Sequence, residues 1–556
     1  MTVQSKFERF KRAPPNGVWR YDERLRKDVR LLKLVCRLYH INDIYRTELL
    51  SLVRSFVTHD ARGLGLHLGT EALLTFGGDF ATGGWETELG RSLFIATVLA
   101  KMRFKFVALG NHEFYQALWV RLKEALRILR DSGACILNGN VVGADDEGKE
   151  TLASTKEWAI HLVPHPDDPN RTLRMGVIAL CTESTPKDGA VAPGRWKFLP
   201  ADAKARELAR MLRHEMHCDV VVAIVHQRSV ANYLLLEKVP DINVVLGGHD
   251  HRAVVAPGGN GIMAQASENA KDLVMVDIMY DPKDKAYHFR SQKLDAEAMK
   301  SRLPPQPLDW EARMLQDFID DTLKPITKIF RTPMFRAPFP LEHVNVRQRQ
   351  TGLAAVLCQL LAEALGVDHV FLNAGLLAEL GKPEWLTGVD IHQLCFGHIQ
   401  CALRYSSDEI IPVDMSGAVF EQALRYAYEQ AKAPARPQGF GGFIQHGRTV
   451  RCDERGNVEI YNSTTAQWGP LDLTANLRVA LPVMMLKGMD GHEALKGLGE
   501  ELKKSKPLSA NTPFGNSRVC KEVLLQQLPN YQDVMKVIAQ ASTEPLPSVK
   551  ALPSKL

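Results

Sequence analysis

Residues 242–254 read INVVLGGHDHRAV, and this stretch decides how the first half of the chain is interpreted. An apolar run of strand length that contains β-branched residues and glycine predicts a strand buried in a core. Two histidines, His249 and His251, follow the run and are one residue apart. Because imidazole is a common metal ligand, the pattern predicts a functional site at the carboxyl end of this strand.

Four earlier apolar runs also end in side chains that can bind a metal ion. Helical patterns separate these runs, so the sequence predicts a layered α/β domain whose sheet is covered on both sides. Strand ends on one edge of such a sheet converge on a common crevice. The side chains that follow the four runs are Asp43, Asp79, Asn111 with His112, and His226.

Each of these signals is weak when it is taken singly. A Gly-Asp pair after a strand is usually turn chemistry, and a lone histidine is more often a satisfied core or surface residue than a ligand. Turn chemistry gives no reason for metal-binding side chains to follow five separate apolar runs. The recurrence therefore favours a shared metal site over five unrelated turns.

The chain is too long for a single hydrophobic core, so we expect at least two domains. We predict a basic N-terminal extension at 1–30, a catalytic domain at 31–295 and a second domain at 341–500. A proline-punctuated segment at 296–340, which includes a helical pattern, is interpreted as the linker. Residues 501–556 are interpreted as a tail.

The order of the five motifs resembles that of the calcineurin-like metallophosphoesterases, and the chain is similar to their 5'-nucleotidase branch. The second domain adds three stretches that look like C-terminal motifs of that branch, namely NAGLLAEL at 373–380, GGFIQHG at 441–447 and KGMDGHEA at 487–494. The resemblance implies a four-layer sandwich of two sheets flanked by helices, followed by a smaller α/β substrate domain.

The resemblance also implies a site with two divalent cations that activate a hydroxide and clamp a phosphoryl group. It gives the bridging role to Asp79, and it places Asp43 and His251 on one metal. Asn111, His226 and His249 would then hold the other metal, and His112 would be the catalytic histidine. Mixed oxygen and imidazole ligands suit manganese, zinc, iron or cobalt.

Two positions depart from the family pattern. The first motif is usually Asp-x-His, whereas Tyr45 here follows Asp43 and leaves the first metal one standard ligand short. The chain is similar in this respect to proteins labelled mannosylglucosyl-3-phosphoglycerate phosphatase, which share the later Gly-His-Asp-His motif. Tyr115 occupies the position of the aspartate that commonly orients the catalytic histidine, so we expect a slower enzyme.

The second domain keeps part of the substrate site that the resemblance implies. Arg347 corresponds to a phosphate-binding arginine, Asn373 is kept, and Phe443 is a candidate stacking face for a base. The departures are Leu376, Ala378 and His492, which replace the glycine, arginine and aromatic ring of the pattern. These changes suggest a site altered for a substrate other than a standard nucleoside monophosphate, or a relaxed site.

Three functions remain open from the sequence. The leading hypothesis is a phosphomonoesterase that acts on a nucleotide or another small phosphorylated metabolite. The second is a metal-binding or nucleotide-binding relative whose catalysis has weakened, as Tyr45, Tyr115 and Ala378 suggest. The third is a phosphodiesterase or nuclease. The mildly acidic composition of residues 38–500 disfavours the third and indicates no nucleic-acid partner.

Composition and termini limit where the protein acts. No apolar run approaches the length of a membrane span, the first 30 residues have no signal-peptide pattern, and nine cysteines without a CxxC pair suggest a reducing compartment. The chain ends in Ser-Lys-Leu, a peroxisomal address, so we expect a peroxisomal import receptor as a partner. Peroxisome, or a related organelle, and cytoplasm both remain open.

Overall fold

The computed structural model divides the chain into two compact units, residues 1–321 and 322–556. The division falls inside a helix that lies in the segment predicted as the linker. The structure describes residues 18–20, 32–81, 86, 93–115, 119–166, 168–185, 191, 194–305, 309–378, 380, 386–403, 409–433, 439–453, 457–462, 465–505 and 518–526. The terminal Ser-Lys-Leu and most of the N-terminal extension lie outside these residues.

Unit 1 contains two large mixed sheets. The seven-stranded sheet has the order β1-β15-β14-β2-β3-β4-β5, and its strands β2 to β5 run parallel. Its strands are β1 (Val18–Arg20), β2 (Lys33–Ile41), β3 (Ala72–Phe76), β4 (Phe106–Ala108), β5 (Cys135–Leu137), β14 (Asp272–Asp281) and β15 (Ala286–Asp295).

The six-stranded sheet has the order β12-β13-β11-β10-β8-β7, with β8, β10, β11 and β13 parallel. Its strands are β7 (Trp158–His165), β8 (Asp168–Cys181), β10 (Val220–His226), β11 (Val244–Gly248), β12 (Val254–Gly258) and β13 (Gly261–Gln265). A separate pair joins β6 (Val141–Gly143) to β9 (Trp196–Phe198).

A single apolar core lies between the two sheets and explains why their strands read as continuous hydrophobic runs. It combines Leu38 and Leu73 of the first sheet with Val222 and Leu246 of the second, all of them fully buried. Strands buried on both faces need apolar residues at successive positions rather than in alternation. The two-sheet interior is therefore the physical origin of the runs that the sequence shows.

Helices alternate with the strands along unit 1. The outer face of the six-stranded sheet packs against α5 and α6. The helices of unit 1 are α1 (Leu50–Gly63), α2 (Leu93–Met102), α3 (Trp119–Asp131), α4 (Asp146–Leu152), α5 (Ala201–Arg210), α6 (Ser229–Lys238) and α7 (Ala296–Arg302), and α8 (Trp310–Phe330) contains the division between the units.

Unit 2 is a smaller α/β domain with a five-stranded sheet of order β20-β17-β24-β19-β25, a three-stranded sheet β21-β22-β23 and a pair β16-β18. Its strands are β16 (Pro333–Arg336), β17 (His369–Asn373), β18 (Gln393–Cys395), β19 (Glu409–Ser416), β20 (Ile444–His446), β21 (Val450–Cys452), β22 (Val458–Asn462), β23 (Gln467–Pro470), β24 (Asn476–Pro482) and β25 (Arg518–Val519). Its helices are α9 (Gly352–Leu365), α10 (Phe396–Ala402), α11 (Gly417–Ala431), α12 (Val483–Leu486), α13 (Glu493–Ser505) and α14 (Cys520–Leu525).

The start and end of α9 illustrate how local chemistry sets an element. The Thr351 side chain accepts a hydrogen bond from the Ala354 amide at the start of the helix. Gly366 ends it with φ 62°, a left-handed conformation that glycine adopts without a Cβ penalty.

All nine cysteines are free thiols. In the described part of the chain, no helix combines the length and apolar character needed to cross a bilayer.

Candidate functional site

The predicted ligands of unit 1 follow the carboxyl ends of its parallel strands, as the sequence indicates. Strands β10 and β11 pair in parallel, so His226 lies beside Gly248, the residue before His249. In the other sheet, β2, β3 and β4 are neighbours and end shortly before the remaining candidates. Those candidates are Asp43, Asp79, and Asn111 with His112.

Four of the predicted ligands have a left-handed backbone, which is rare for residues other than glycine. The φ angles are 54° for Asp43, 64° for Asp79, 87° for His249 and 57° for His251. Such conformations cost about 1–3 kcal/mol each and persist only where surrounding contacts hold them. Their concentration at the strand ends indicates a site where the backbone is held in a strained conformation that sets the direction of the side chains.

Backbone hydrogen bonds hold these strained positions together. The His249 amide donates to Asp43 Oδ2 at 2.9 Å, and the His112 amide donates to Asp79 Oδ1 at 3.0 Å. The Asp43 amide donates to the carbonyl oxygen of Gly78 at 2.9 Å, which ties the first loop to the second. The carboxylates are therefore fixed by atoms of neighbouring strand ends.

Asp43, His251 and Tyr45 form one group of donor atoms. His251 Nε2 lies 3.2 Å from Asp43 Oδ1, and its Nδ1 lies 3.2 Å from Glu268 Oε2. The Tyr45 hydroxyl lies 3.1 Å from Asp43 Oδ1 and 3.1 Å from His251 Nε2. The structure thus brings together the two residues that the sequence assigns to the first metal.

Asn111, His226 and His249 form a second group. Asn111 Oδ1 lies 2.9 Å from His249 Nδ1, and the rings of His226 and His249 are 5.3 Å apart. His226 Nδ1 lies 2.6 Å from the carbonyl oxygen of Gly77, which directs Nε2 inward. The structure thus brings together the three residues that the sequence assigns to the second metal.

Asp79 lies between the two groups. Its Oδ2 is 3.2 Å from His226 Nε2 and 3.1 Å from the Tyr45 hydroxyl. Ligand atoms of Asp43, Asp79 and His226 all lie within 4.8 Å of one another, and all three residues are buried. Two carboxylates and an imidazole at this spacing have the donor chemistry and separation that suit a divalent cation.

His226 supplies a further test of that fit. Its Nε2 has no hydrogen-bond partner of acceptable geometry within the described residues, although Asp79 Oδ2 is 3.2 Å away. A buried polar atom without a partner costs about 1–3 kcal/mol. A cation between the two atoms would satisfy both, so the residues fit a bound metal.

The electrostatics of the centre favour added positive charge. Burial raises the pKa of Asp79, but the charges of His112 and His226 outweigh it and hold that pKa well below its usual value. Burial lowers the pKa of His226, yet Asp79 and Asp43 raise it to about 10. Burial likewise opposes protonation of His251, whereas Asp43 and Glu268 raise its pKa to about 9.

His112 lies at the edge of this centre. Its Nδ1 is 3.5 Å from Asp79 Oδ2, and its ring centroid is 4.8 Å from that of Tyr115. The Tyr115 hydroxyl accepts a 2.8 Å hydrogen bond from the Asn111 side-chain amide. Tyr115 therefore packs against His112 and anchors Asn111, and Asp79 places a carboxylate oxygen 3.5 Å from the His112 ring.

Glu113 was not among the predicted site residues, although it follows His112 directly. It is fully buried, and its Oε2 accepts hydrogen bonds from the amides of Asp79 and Gly110 at 2.9 and 2.6 Å. Its Oε1 accepts from Phe80 and Ala81 at 2.8 and 3.0 Å. Burial, and next the charge of Asp79, raise the pKa of Glu113 to about 7. The sequence signal that could have identified Glu113 was its position directly after His112 in the motif GNHE at 110–113.

Two asparagines that the sequence did not single out also shape the site. Asn42 donates to Asp43 Oδ2 at 2.7 Å and accepts from the Ala266 amide at 3.0 Å. Asn269 Oδ1 accepts from the amides of Tyr45 and Arg46 at 2.8 and 3.0 Å. Asn42 adjoins a predicted ligand and could have been inferred, whereas no local signal marks Asn269.

In unit 2, the structure brings the three predicted substrate residues onto neighbouring backbone segments. The Phe440 amide donates to the Arg347 carbonyl oxygen at 2.9 Å, and Asn373 pairs with Ile444 between β17 and β20. Arg347 is half-buried and Asn373 is 5% exposed. Phe443 is fully buried, with Tyr428 at 4.9 Å between ring centroids, so its stacking role stays a prediction.

Residues 36–253 match the family model described as calcineurin-like phosphoesterase. This family match begins within β2 and ends before β12, so it spans the strand ends that carry the predicted ligands. A 5'-nucleotidase of Vibrio parahaemolyticus serotype O3:K6 (strain RIMD 2210633) is 22% identical over 514 residues, which cover 83% of this chain and 82% of the relative.

Two solved structures have the same fold. A 5'-nucleotidase precursor from Thermus thermophilus is 18% identical with a TM-score of 0.60, covering 89% of this chain and 96% of that one. A 5'-nucleotidase from Candida albicans SC5314 is 13% identical with a TM-score of 0.60, covering 90% and 99%. The predicted fold class is confirmed: a two-sheet α/β domain followed by a C-terminal α/β domain.

Proposed function

We propose that this chain is a metal-dependent hydrolase of phosphate monoesters, because residues 36–253 match the model of the calcineurin-like phosphoesterases. One observation carries the proposal: five of the six predicted ligands lie in two groups of donor atoms, and the sixth, Asp79, lies between those groups. The substrate we propose is a nucleotide or another small phosphorylated metabolite, since the similar proteins are named 5'-nucleotidases.

Each side chain of the centre has a proposed part in this reaction. Asp43 and His251 would hold one cation, Asn111, His226 and His249 would hold another, and Asp79 lies where it can contribute to both. When bound, the two cations supply an activated water nucleophile and neutralise charge on the phosphoryl group. We propose manganese, zinc, iron or cobalt, because the ligands mix oxygen with imidazole.

His112 is the proposed general acid. Its ring lies at the edge of the two groups, where it can protonate the leaving oxygen of the ester. The Asp79 carboxylate is 3.5 Å from Nδ1, and the ring of Tyr115 packs where the family pattern has an orienting aspartate. We therefore propose a slower enzyme in which Tyr115→Asp increases kcat, whereas Tyr115→Phe does not.

Arg347 and Asn373 are the proposed contacts to substrate in unit 2. They lie on neighbouring backbone segments, and arginine suits a phosphate or other anionic group. Leu376 and Ala378 replace the glycine and arginine of the pattern. The altered set supports a substrate other than a standard nucleoside monophosphate, and the motif likeness to mannosylglucosyl-3-phosphoglycerate phosphatases supports a phosphorylated sugar acid as one member of the test panel.

The decisive experiment measures hydrolysis of a generic aryl phosphate by purified protein with each candidate metal. We expect turnover with at least one metal, and a loss of about 100-fold or more in kcat for His112→Ala. Circular dichroism of the variant controls for folding. Metal uptake without turnover over a broad panel of phosphate esters would favour the weakened binding relative, and preferred cleavage of a bis-aryl phosphate would favour a phosphodiesterase.

We also propose that the protein enters the peroxisome by binding an import receptor through its terminal Ser-Lys-Leu. The support is the sequence alone, since such addresses are read at an exposed C-terminus. Deletion of Leu556 should move a tagged protein to the cytoplasm. An unchanged distribution would contradict the peroxisomal proposal and leave the cytoplasmic alternative.

A further inference from the structure

Tyr45 occupies a position where the resemblance predicts an imidazole ligand, and its hydroxyl lies inside the metal centre. The side chain is 3% exposed. Its oxygen is 3.1 Å from Asp43 Oδ1, 3.1 Å from Asp79 Oδ2 and 3.1 Å from His251 Nε2. The hydroxyl oxygen of Tyr45 is thus equally distant from three atoms that are candidate metal ligands, and this arrangement needs an explanation.

Hydrogen bonding alone explains these separations poorly. A phenol has one proton to donate, so it can satisfy only one of two carboxylate oxygens at a time. A hydroxyl that donates to a carboxylate normally approaches to about 2.5–2.7 Å. Instead, Tyr45 keeps the same longer distance to both Asp43 and Asp79, which indicates that its oxygen is not placed to favour either one.

The separations match those between ligands that share one metal ion. Asp43 Oδ1 and His251 Nε2 are 3.2 Å apart, so four of the six edges among these four atoms measure 3.1–3.2 Å. The centre of a regular tetrahedron with such edges lies about 1.9–2.0 Å from each corner, close to the usual lengths of metal bonds to oxygen and nitrogen.

We propose that Tyr45 is a direct ligand of the cation that Asp43 and His251 hold. The phenol would release its proton to solvent on binding and coordinate as phenolate, because metal ligands must be deprotonated. This inference rests on the metal-binding part of the proposed function. It replaces the expectation that the first metal lacks one ligand.

Charge determines which ion the site should take. Asp43, Asp79 and phenolate are three anionic oxygens, whereas an imidazole at position 45 would leave only two. Anionic oxygen donors suit hard cations, and buried charges need compensation. We therefore infer that ferric ion binds at this position in preference to zinc.

Ferric ion is also the probe that tests the proposal, because phenolate bound to ferric iron absorbs visible light by charge transfer. Metal-free full-length protein would be loaded with iron and oxidised. We expect a visible band in the wild type that Tyr45→Phe abolishes, together with a loss of iron affinity on the order of 100-fold. Tyr45→His should keep the bound iron and still lose the band.

Tyr115→Phe is the matched control, since it removes a phenol beside Asn111 rather than beside Asp43. It should keep the band. Circular dichroism and thermal melting of the metal-free proteins check that each variant folds. If Tyr45→Phe does not fold, the absorbance of Tyr45→His decides whether Tyr45 binds the metal. The measurements report bound metal and absorbance, so they do not depend on activity.

Two results would overturn the assignment of Tyr45. One is iron-loaded wild-type protein without a visible band, and the other is a band that persists in the folded Tyr45→His variant. Failure of the proposed function looks different, because wild-type protein would then take up no metal at all or would bind metal without hydrolysing any ester.

Discussion

Glu113→Gln tests whether one buried carboxylate holds the loops that carry Asp79 and Gly110. The substitution keeps the size of the side chain and changes one oxygen to an amide nitrogen. The carbonyl oxygen of glutamine can replace only one of the two oxygens that accept backbone amides. The new NH₂ group then faces two N–H donors and can accept from neither.

The expected loss follows from those two donors. Each buried N–H without an acceptor costs about 1–3 kcal/mol, so the free energy of unfolding should fall by about 2–6 kcal/mol. The comparison is best made at pH 8, because the pKa of Glu113 is raised to about 7 and the wild-type carboxylate is then mostly ionised. Loosening of the Asp79 amide should also weaken metal binding.

Urea denaturation of the metal-free proteins would give the free-energy change, and amide hydrogen exchange of segments 78–81 and 108–113 would locate it. Asp295→Asn is a matched carboxylate-to-amide control, since Asp295 accepts, among the residues that the structure describes, one hydrogen bond, from the Ala298 amide at the start of α7. Asparagine caps helices equally well, so the control should change stability by less than about 0.5 kcal/mol. A similarly small change in Glu113→Gln, or unchanged exchange in both segments, would refute the reasoning.

Three further outcomes are expected. Gly110→Ala should weaken metal binding, measured by calorimetry, about 10- to 100-fold, because the added Cβ would lie 2.1 Å from Asp79 Oδ1. The control Gly63→Ala, which places its Cβ in open space, should leave metal binding unchanged. Removal of metal by a chelator should abolish hydrolysis, and added manganese should restore it; activity that survives chelation would contradict a metal centre. Burial lowers the pKa of three histidines in unit 2, His343, His398 and His446, to about 3 or 4. Their contribution to the free energy of unfolding is therefore full above pH ~6.5, and for each histidine it falls by up to about 1.4 kcal/mol per pH unit as the pH drops toward 4. Urea denaturation midpoints measured at pH 7 and pH 5 would check this loss.

The sequence was informative where function depends on the end of a buried strand. The apolar runs before Asp43, Asp79 and His226 are strands β2, β3 and β10, and they are apolar at successive positions because both faces lie in a core. Burial leaves a strong periodicity signal, and a polar residue that breaks it stands out. The two-sheet architecture and the list of candidate ligands therefore followed from local pattern and resemblance.

The supporting contacts did not follow from local pattern, because they join segments far apart in the chain. Asn269 binds the amides of Tyr45 and Arg46 across 224 and 223 positions, and no periodicity or spacing marks it. Glu113 was visible in the motif, but its four amide partners lie on two loops. Such partners are set by where loops meet after the sheets have packed.

The sequence by itself thus determined which side chains are candidates for the chemistry, since residue type and strand-end position are local properties. Only the tertiary structure decided where their atoms lie. It put Asp43, Asp79 and His251 in left-handed conformations and drew them to within 3.1 Å of the Tyr45 hydroxyl. Tyr45 looked like a missing ligand in the sequence, but its hydroxyl lies among the candidate ligands, because the distance between an oxygen and its neighbours exists only once the chain has folded.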